Sequence, residues 1–125
     1  MKNIIIIDYG YGNIYSILSA FKVLNFQVKV SNNPDEIRKA DIIILPGVGA
    51  FKNAMSALKN LHIDVAIKES IDRGGYIVGI CLGFQMLFDK SEEFGITKGL
   101  GLLPGKVTKL DNSKVKVPNV GWRNL

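Results

Sequence analysis

The sequence predicts a three-layer α/β fold in which a mostly parallel sheet is flanked by helices. Isoleucine-rich runs at residues 3–8 and 41–45 lack the polar alternation of a half-exposed strand, so they are typical of strands covered on both faces. Segments with helical spacing separate these runs from each other and from a further apolar run at 76–80. Such alternation of strand and helix favours parallel strands joined by crossover helices.

Local signals in the first half of the chain support each of these elements in turn. Residues 3–8 (NIIIID) predict the first strand, and apolar residues at helical spacing predict a first helix after Asn13, whose side chain suits an N-cap. Residues 26–30 alternate as a second, less buried strand. Asn33 followed by Pro34 marks the start of a short helix, because proline is favoured in the first helical turn.

The second half continues the same pattern and then changes. Residues 41–45 (DIIIL) predict the third strand, and residues 51–73 have the periodicity of one helical stretch. Residues 76–80 predict a fourth buried strand, again apolar throughout, which we expect to be central in the sheet. Beyond it, two short alternating segments at 99–110 and 114–122 predict a hairpin, since a turn-forming Asp-Asn-Ser lies between them.

Composition limits the classes of function. A chain of 125 residues fits one domain, 47% of its residues are apolar, and no apolar run reaches the roughly 18 residues that a membrane span requires. The net charge of +5 comes from scattered lysines without interleaved aromatic residues, so we expect no nucleic-acid partner. A first strand that starts near residue 3 leaves no room for a signal peptide, and a single cysteine suits a reducing compartment; both favour the cytoplasm.

Cys81 is the candidate catalytic residue. It lies between Gly79 and Gly83, in the small-x-nucleophile-x-small pattern of a nucleophile elbow between a strand and a helix. The start of a helix stabilises an anion such as a thiolate, and the Leu82 amide would face an oxyanion formed on an attacked acyl group. The alternative is that Cys81 is a small buried hydrophobic residue, but its position between glycines at this junction favours the nucleophile.

Two motifs resemble those of a known enzyme class. Residues 79–88 (GICLGFQMLF) resemble the nucleophile motif of class I glutamine amidotransferases, and residues 45–51 (LPGVGAF) resemble the loop that supplies an oxyanion-hole amide in that class. Within the class, the chain resembles the glutaminase subunits of imidazole glycerol phosphate synthases through DYGYGN (8–13), SEEFG (91–95), GLGLLPGKV (99–107) and KVPNVGW (116–122). The resemblance covers the whole chain and implies a flavodoxin-like sheet.

The resemblance also implies a reaction and a set of site residues. Cys81 would attack the side-chain amide of L-glutamine, giving a thioester and ammonia, and water would then release glutamate. Gly49 and Gln85 match positions that hold glutamine, and Val48 and Leu82 match positions whose backbone N–H groups form the oxyanion hole. No cofactor or metal is implied.

The partner implied by the resemblance is a (β/α)8-barrel cyclase that receives the ammonia in histidine biosynthesis. Asn13, Pro118 and Trp122 match positions of the family near the exit toward that partner. Packing or capping alone would also explain each of these residues, since Asn13 suits an N-cap and Trp122 is a large aromatic residue.

Two departures from the family bear on this assignment. The histidine base of the family, oriented by a glutamate two residues later, has no match, so we expect residues 1–125 to be an amino-terminal portion that is inactive alone and prone to self-association. His62 lies within the predicted helical stretch, where the family has no base. Asn119 and Arg123 stand where the synthase family more often has histidine and asparagine.

Three alternative functions remain open at this point. The first is a related subunit that supplies ammonia for acetamidino-sugar synthesis. The second is a non-catalytic remnant that keeps only the docking surface. The third is an unrelated α/β module that binds phosphate through its glycine loops, although residues 9–13 lack the spacing of a dinucleotide fingerprint and no strand is followed by a Walker pattern.

Overall fold

The computed structural model describes residues 2–110 of the chain. The elements follow the order β1 (Ile4–Ile7), α1 (Ile14–Val23), β2 (Lys29–Ser31), α2 (Pro34–Arg38), β3 (Ile42–Leu45), α3 (Phe51–Asn60), α4 (Ile63–Asp72), β4 (Tyr76–Gly79), α5 (Leu82–Gln85), β5 (Phe88–Ser91), β6 (Thr97–Lys98) and β7 (Leu103–Val107). Strands and helices alternate as predicted up to α5, apart from the consecutive helices α3 and α4. Among these residues no helix is both long and apolar enough to cross a membrane.

The main sheet has four parallel strands in the order β2-β1-β3-β4. All residues of β1 are buried, as the continuous isoleucine run predicts for a strand covered on both faces. On one face, Ile5 and Ile43 pack in a large core with Met55 and Ile67 of the α3–α4 layer. On the other face, Ile6 lies in a smaller cluster against which α1 packs through half-buried side chains. The three-layer prediction is therefore confirmed.

The predicted helical stretch 51–73 is two helices, not one. Helix α3 ends at Asn60, and the N–H of its C-cap residue Leu61 donates to the Ala57 carbonyl. His62 follows with a left-handed φ of 59°. Histidine is among the non-glycine residues more often found with positive φ. A left-handed residue breaks the helical path, and buried residues of both helices, such as Met55 and Ile67, still belong to the same core.

The residues after the elbow form a second, smaller sheet in the order β6-β5-β7. Strand β7 falls within the predicted segment 99–110, but it pairs in parallel with β5, a strand that the polar sequence FDKS did not predict. The second half of the predicted hairpin, 114–122, lies outside the described residues. Because these later strands form their own sheet, β4 lies at the end of the described main sheet, whereas we expected the strand before Cys81 to be central. The prediction that this strand is buried is also wrong, since Tyr76 and Val78 are exposed.

A small charge cluster joins β7 to the end of β5. The carboxylate of Glu92 lies 3.3 Å from Lys106 Nζ of β7 and 3.5 Å from Lys90 Nζ of β5. The hydrogen bond from Lys106 is the main reason that the pKa of Glu92 is lowered from its ordinary value.

Strand β2 is shorter than predicted, since pairing with β1 begins only at Lys29.

Candidate active site

Three glycine-containing loops meet at the carboxyl ends of β1, β3 and β4. A Cβ atom placed on Gly12, in the loop after β1, would lie 2.9 Å from the Cβ of Pro46, in the loop after β3. A Cβ atom on Gly47 would lie 2.8 Å from the backbone nitrogen of Gly83, just after β4. These approaches bring the three loops into direct contact at the sheet edge where ligands bind in parallel α/β folds.

Cys81 occupies a sharp turn between β4 and α5. Its backbone angles are φ 55° and ψ −120°, outside the regions that L-residues ordinarily adopt, and the residue is exposed. The turn depends on a close approach, because a Cβ atom on Gly83 would overlap the carbonyl oxygen of Leu45 at the end of β3. The local geometry thus has the form of a nucleophile elbow: Cys81 is exposed, and the Leu82 N–H that follows it contacts the Gly47 carbonyl of the loop after β3.

The Leu82 amide, one of the two predicted oxyanion donors, is engaged in this conformation. Its N–H donates to the carbonyl oxygen of Gly47 at 3.3 Å. The acceptor belongs to the peptide unit that also contains the Val48 N–H, the other predicted donor. Because a trans peptide places its C=O and N–H on opposite sides, rotation of the 47–48 peptide would release the Leu82 N–H and redirect the Val48 N–H together.

Gly49 and Gln85, the two residues predicted to hold glutamine, lie in the loop after β3 and in α5. Gly49 is exposed and has a φ of 103°, and the Tyr11 ring lies 3.8 Å from the position of a Cβ atom on Gly49. Gln85 is half-buried at the end of α5, where its N–H donates to the Cys81 carbonyl at 3.3 Å. Val48 is 58% exposed, so it is not a core residue.

Of the three residues predicted to lie near the partner, only Asn13 is within the described part of the chain. Asn13 is exposed and caps α1, since its side-chain oxygen accepts from the Ser16 N–H at 3.2 Å. It directly follows Gly12, the residue of the loop after β1 that approaches Pro46. Pro118 and Trp122 lie outside the described residues.

His62, the only histidine of the sequence, occupies the left-handed turn between α3 and α4 and is exposed. It therefore belongs to a helix connection and not to any of the three loops around Cys81. Within residues 2–110, no group of three or more His, Cys, Asp and Glu side chains could hold a metal ion.

Tyr9 is a feature of the site that the sequence analysis did not single out. It is 5% exposed, and its hydroxyl donates to the Pro46 carbonyl at 2.6 Å. Burial, with a smaller contribution from Tyr11, raises the pKa of the Tyr9 hydroxyl above its ordinary value, so the group remains protonated and able to donate. An aromatic residue directly after a buried strand, in DYGYGN, was the available signal.

Comparison with known proteins relates the whole chain to one group. A family model described as the CobB/CobQ-like glutamine amidotransferase domain matches residues 3–123. Relatives named imidazole glycerol phosphate synthase subunit HisH include those of Helicobacter hepaticus (45% identical, covering 95% of this chain), Halalkalibacterium halodurans (48%, covering 96%) and Moorella thermoacetica (47%, covering 100%). The chain spans 60%, 58% and 59% of the length of these relatives, respectively.

Solved structures share the fold at low sequence identity. A crystal structure of a glutamine amidotransferase matches with a TM-score of 0.71 and 18% identity, over 84% of this chain and 56% of the other. A putative peptidase E protein from Listeria monocytogenes matches with a TM-score of 0.64 and 17% identity, over 82% of this chain and 63% of the other. These TM-scores show a common α/β fold. Sequence identities this low carry no functional detail.

Proposed function

Because the chain belongs to the family of CobB/CobQ-like glutamine amidotransferase domains, we propose that it is the nucleophile-bearing part of a glutaminase that supplies ammonia to a synthase partner. The observation that carries this proposal is the Cys81 turn.

The proposed chemistry is amide hydrolysis through a thioester. The Cys81 sulfur forms a bond to the side-chain amide carbon of L-glutamine, and the carbonyl oxygen takes up the negative charge. Protonation of the nitrogen lets ammonia leave, and water then cleaves the thioester to give glutamate and the free thiol. Val48 and Leu82 N–H groups would stabilise the oxyanion, an interaction typically worth about 3 kcal/mol for one donor.

A group outside residues 2–110 is proposed to transfer the protons. General acid–base catalysis of this kind typically contributes about 10²- to 10⁴-fold, so the described site should bind and react at sulfur without efficient turnover. His62 is a poor candidate for this role because it lies in the turn between α3 and α4.

The proposed partner is a (β/α)8-barrel cyclase that uses the ammonia to make imidazole glycerol phosphate. The names of the relatives described above support this pathway over acetamidino-sugar synthesis. Asn13 would contribute to docking from the loop beside Pro46, and Pro118 and Trp122 would contribute from the segment beyond residue 110.

Protection of Cys81 by substrate tests the proposal. We expect L-glutamine to slow alkylation of the 1–125 chain by iodoacetamide, followed by intact mass, because bound glutamine covers the sulfur. D-Glutamine and L-glutamate serve as ligand controls and should protect much less. Cys81→Ala shows that the mass increase arises at the only thiol.

A matched variant separates a glutamine site from general shielding. Gln85→Leu retains a side chain of similar size on α5 and should abolish protection while leaving the unprotected alkylation rate unchanged. Equal rates with and without saturating L-glutamine in the wild-type chain would contradict a glutamine site here and favour a non-catalytic docking role.

A further inference from the structure

Tyr9 is connected to the predicted oxyanion hole through two consecutive peptide units. Its hydroxyl donates to the Pro46 carbonyl at 2.6 Å, and the next carbonyl along the chain, that of Gly47, accepts from the Leu82 N–H at 3.3 Å. The Tyr9 hydroxyl also lies 3.0 Å from the position of a Cβ atom on Gly47. The Tyr9 side chain therefore contacts the 46–47 peptide. The next peptide, 47–48, contains the carbonyl that accepts from the Leu82 N–H.

The Tyr9 hydroxyl has one proton, and the geometry assigns it to Pro46. The Met86 sulfur is 3.6 Å from the same oxygen, but thioether sulfur is a weak acceptor and the Pro46 carbonyl is much closer. Tyr9 is 5% exposed and Met86 is fully buried, so water cannot readily replace the lost acceptor if the loop moves. Breaking this bond leaves the buried Pro46 carbonyl without this donor and leaves the Tyr9 hydroxyl only the weak Met86 acceptor.

We propose that Tyr9 is a positioning residue that holds the 46–47 peptide in place and so keeps the Gly47 carbonyl on the Leu82 N–H. With Pro46 anchored, movement of the loop is confined to the 47–48 peptide. Gly47 forms one end of that peptide, and Gly49, with a φ of 103°, lies one residue beyond Val48 at its other end. Tyr9 thus determines how readily the Leu82 N–H becomes free. The consequence for catalysis rests on the proposed function, whereas the positioning role itself does not.

Amide hydrogen exchange measured by NMR on the 1–125 chain tests the positioning role. In Tyr9→Phe, which removes only the hydroxyl, we expect exchange of the Leu82 amide to rise about fivefold or more, the change expected from loss of one net hydrogen bond. The Ile80 amide is the internal reference, because it donates to the Leu45 carbonyl at 3.0 Å in the neighbouring strand and should be unaffected.

Tyr11→Phe is the matched control, because it removes a hydroxyl from the ring next to Tyr9, with centroids 5.9 Å apart. It should leave the Leu82 amide unchanged. Three results would overturn the proposal: unchanged Leu82 exchange in Tyr9→Phe, an equal rise at Leu82 and Ile80, or the same selective rise in Tyr11→Phe.

A measurement on the wild-type chain keeps the proposal testable if Tyr9→Phe does not fold. A buried hydroxyl that donates to a carbonyl exchanges slowly, so the Tyr9 hydroxyl proton should be observable and show a nuclear Overhauser effect to Gly47. Absence of both signals would also overturn the proposal. Failure of glutamine to protect Cys81 would contradict the glutaminase function and leave these results unaffected.

Discussion

At the Cys81 turn, single atoms determine whether the backbone can adopt its path. The Cys81 φ of 55° is possible because α5 approaches the end of β3 at Gly83, where any side chain would overlap the Leu45 carbonyl oxygen. The exposed thiol is thus a consequence of a missing Cβ two residues later. The strain at Cys81 is retained because the surrounding loops leave the chain no alternative path.

Gly83→Ala should therefore be among the most destabilising small substitutions in the chain. The added methyl group overlaps backbone and cannot move away alone, so we expect a loss of about 3 kcal/mol or more in the free energy of unfolding measured with urea. Gly95→Ala is the control, because it has a φ of 77° but no atom within 4 Å of the added methyl group. Its left-handed backbone alone should cost about 1 kcal/mol. Similar losses in the two variants would contradict the close approach at Gly83.

Among the helices, the break between α3 and α4 shows how one residue separates two elements. The His62 N–H donates to the Lys59 carbonyl at 3.0 Å, which closes the end of α3, and Ile63 is fully buried at the start of α4. His62 is exposed and supplies the left-handed turn between them. The left-handed turn between α3 and α4 accounts for a histidine at position 62, and no catalytic role is needed to explain it.

His62→Gly should stabilise the chain, because glycine adopts a left-handed φ without the steric cost that a Cβ imposes. We expect a gain of up to about 1 kcal/mol in the free energy of unfolding, with an unchanged rate of Cys81 alkylation. His62→Val should be destabilising, since a β-branched residue is disfavoured at positive φ. A lower alkylation rate in His62→Gly, at unchanged stability, would instead indicate that the imidazole acts on the thiol.

At the scale of the whole molecule, the main sheet as described for residues 2–110 ends at β4. In the strand order of residues 2–110, β4 pairs with β3 on one side only. Its register places Tyr76 beside Ile42 and Val78 beside Ile44, and these two β4 side chains are 69% and 47% exposed. Edge strands with uncharged, exposed side chains are templates for pairing with another chain.

We expect the 1–125 chain to self-associate through β4, and Val78→Lys to weaken that association. Two copies related by a two-fold axis would place like charges close together across the new strand pair, which is destabilising. Val65→Lys on α4 is the control, since Val65 is 51% exposed and the variant has the same net charge. Sedimentation velocity over a range of concentrations measures the effect. A wild-type chain that stays monomeric, or equal weakening in both variants, would contradict pairing at this edge.

Local patterns were sufficient to predict the buried strands β1 and β3 and the Cys81 turn, but not the position of β4 at the end of the described sheet. The runs 3–8 and 41–45 predicted buried parallel strands correctly, because burial on both faces leaves a continuous apolar signal in the sequence itself. The glycines around Cys81 predicted the turn for a similar reason, since a close backbone approach requires a residue without Cβ at a fixed spacing.

Contacts between distant parts of the chain supplied what those patterns could not. Tyr9 reaches Pro46 across 37 residues, and the Leu82 N–H meets the Gly47 carbonyl only because two loops end at the same sheet edge. The pairing of β5 with β7 likewise depends on where the chain returns after Gly99. Hydrophobic periodicity reports which face of an element is buried, but the partner of a hydrogen bond is determined by how the elements pack together.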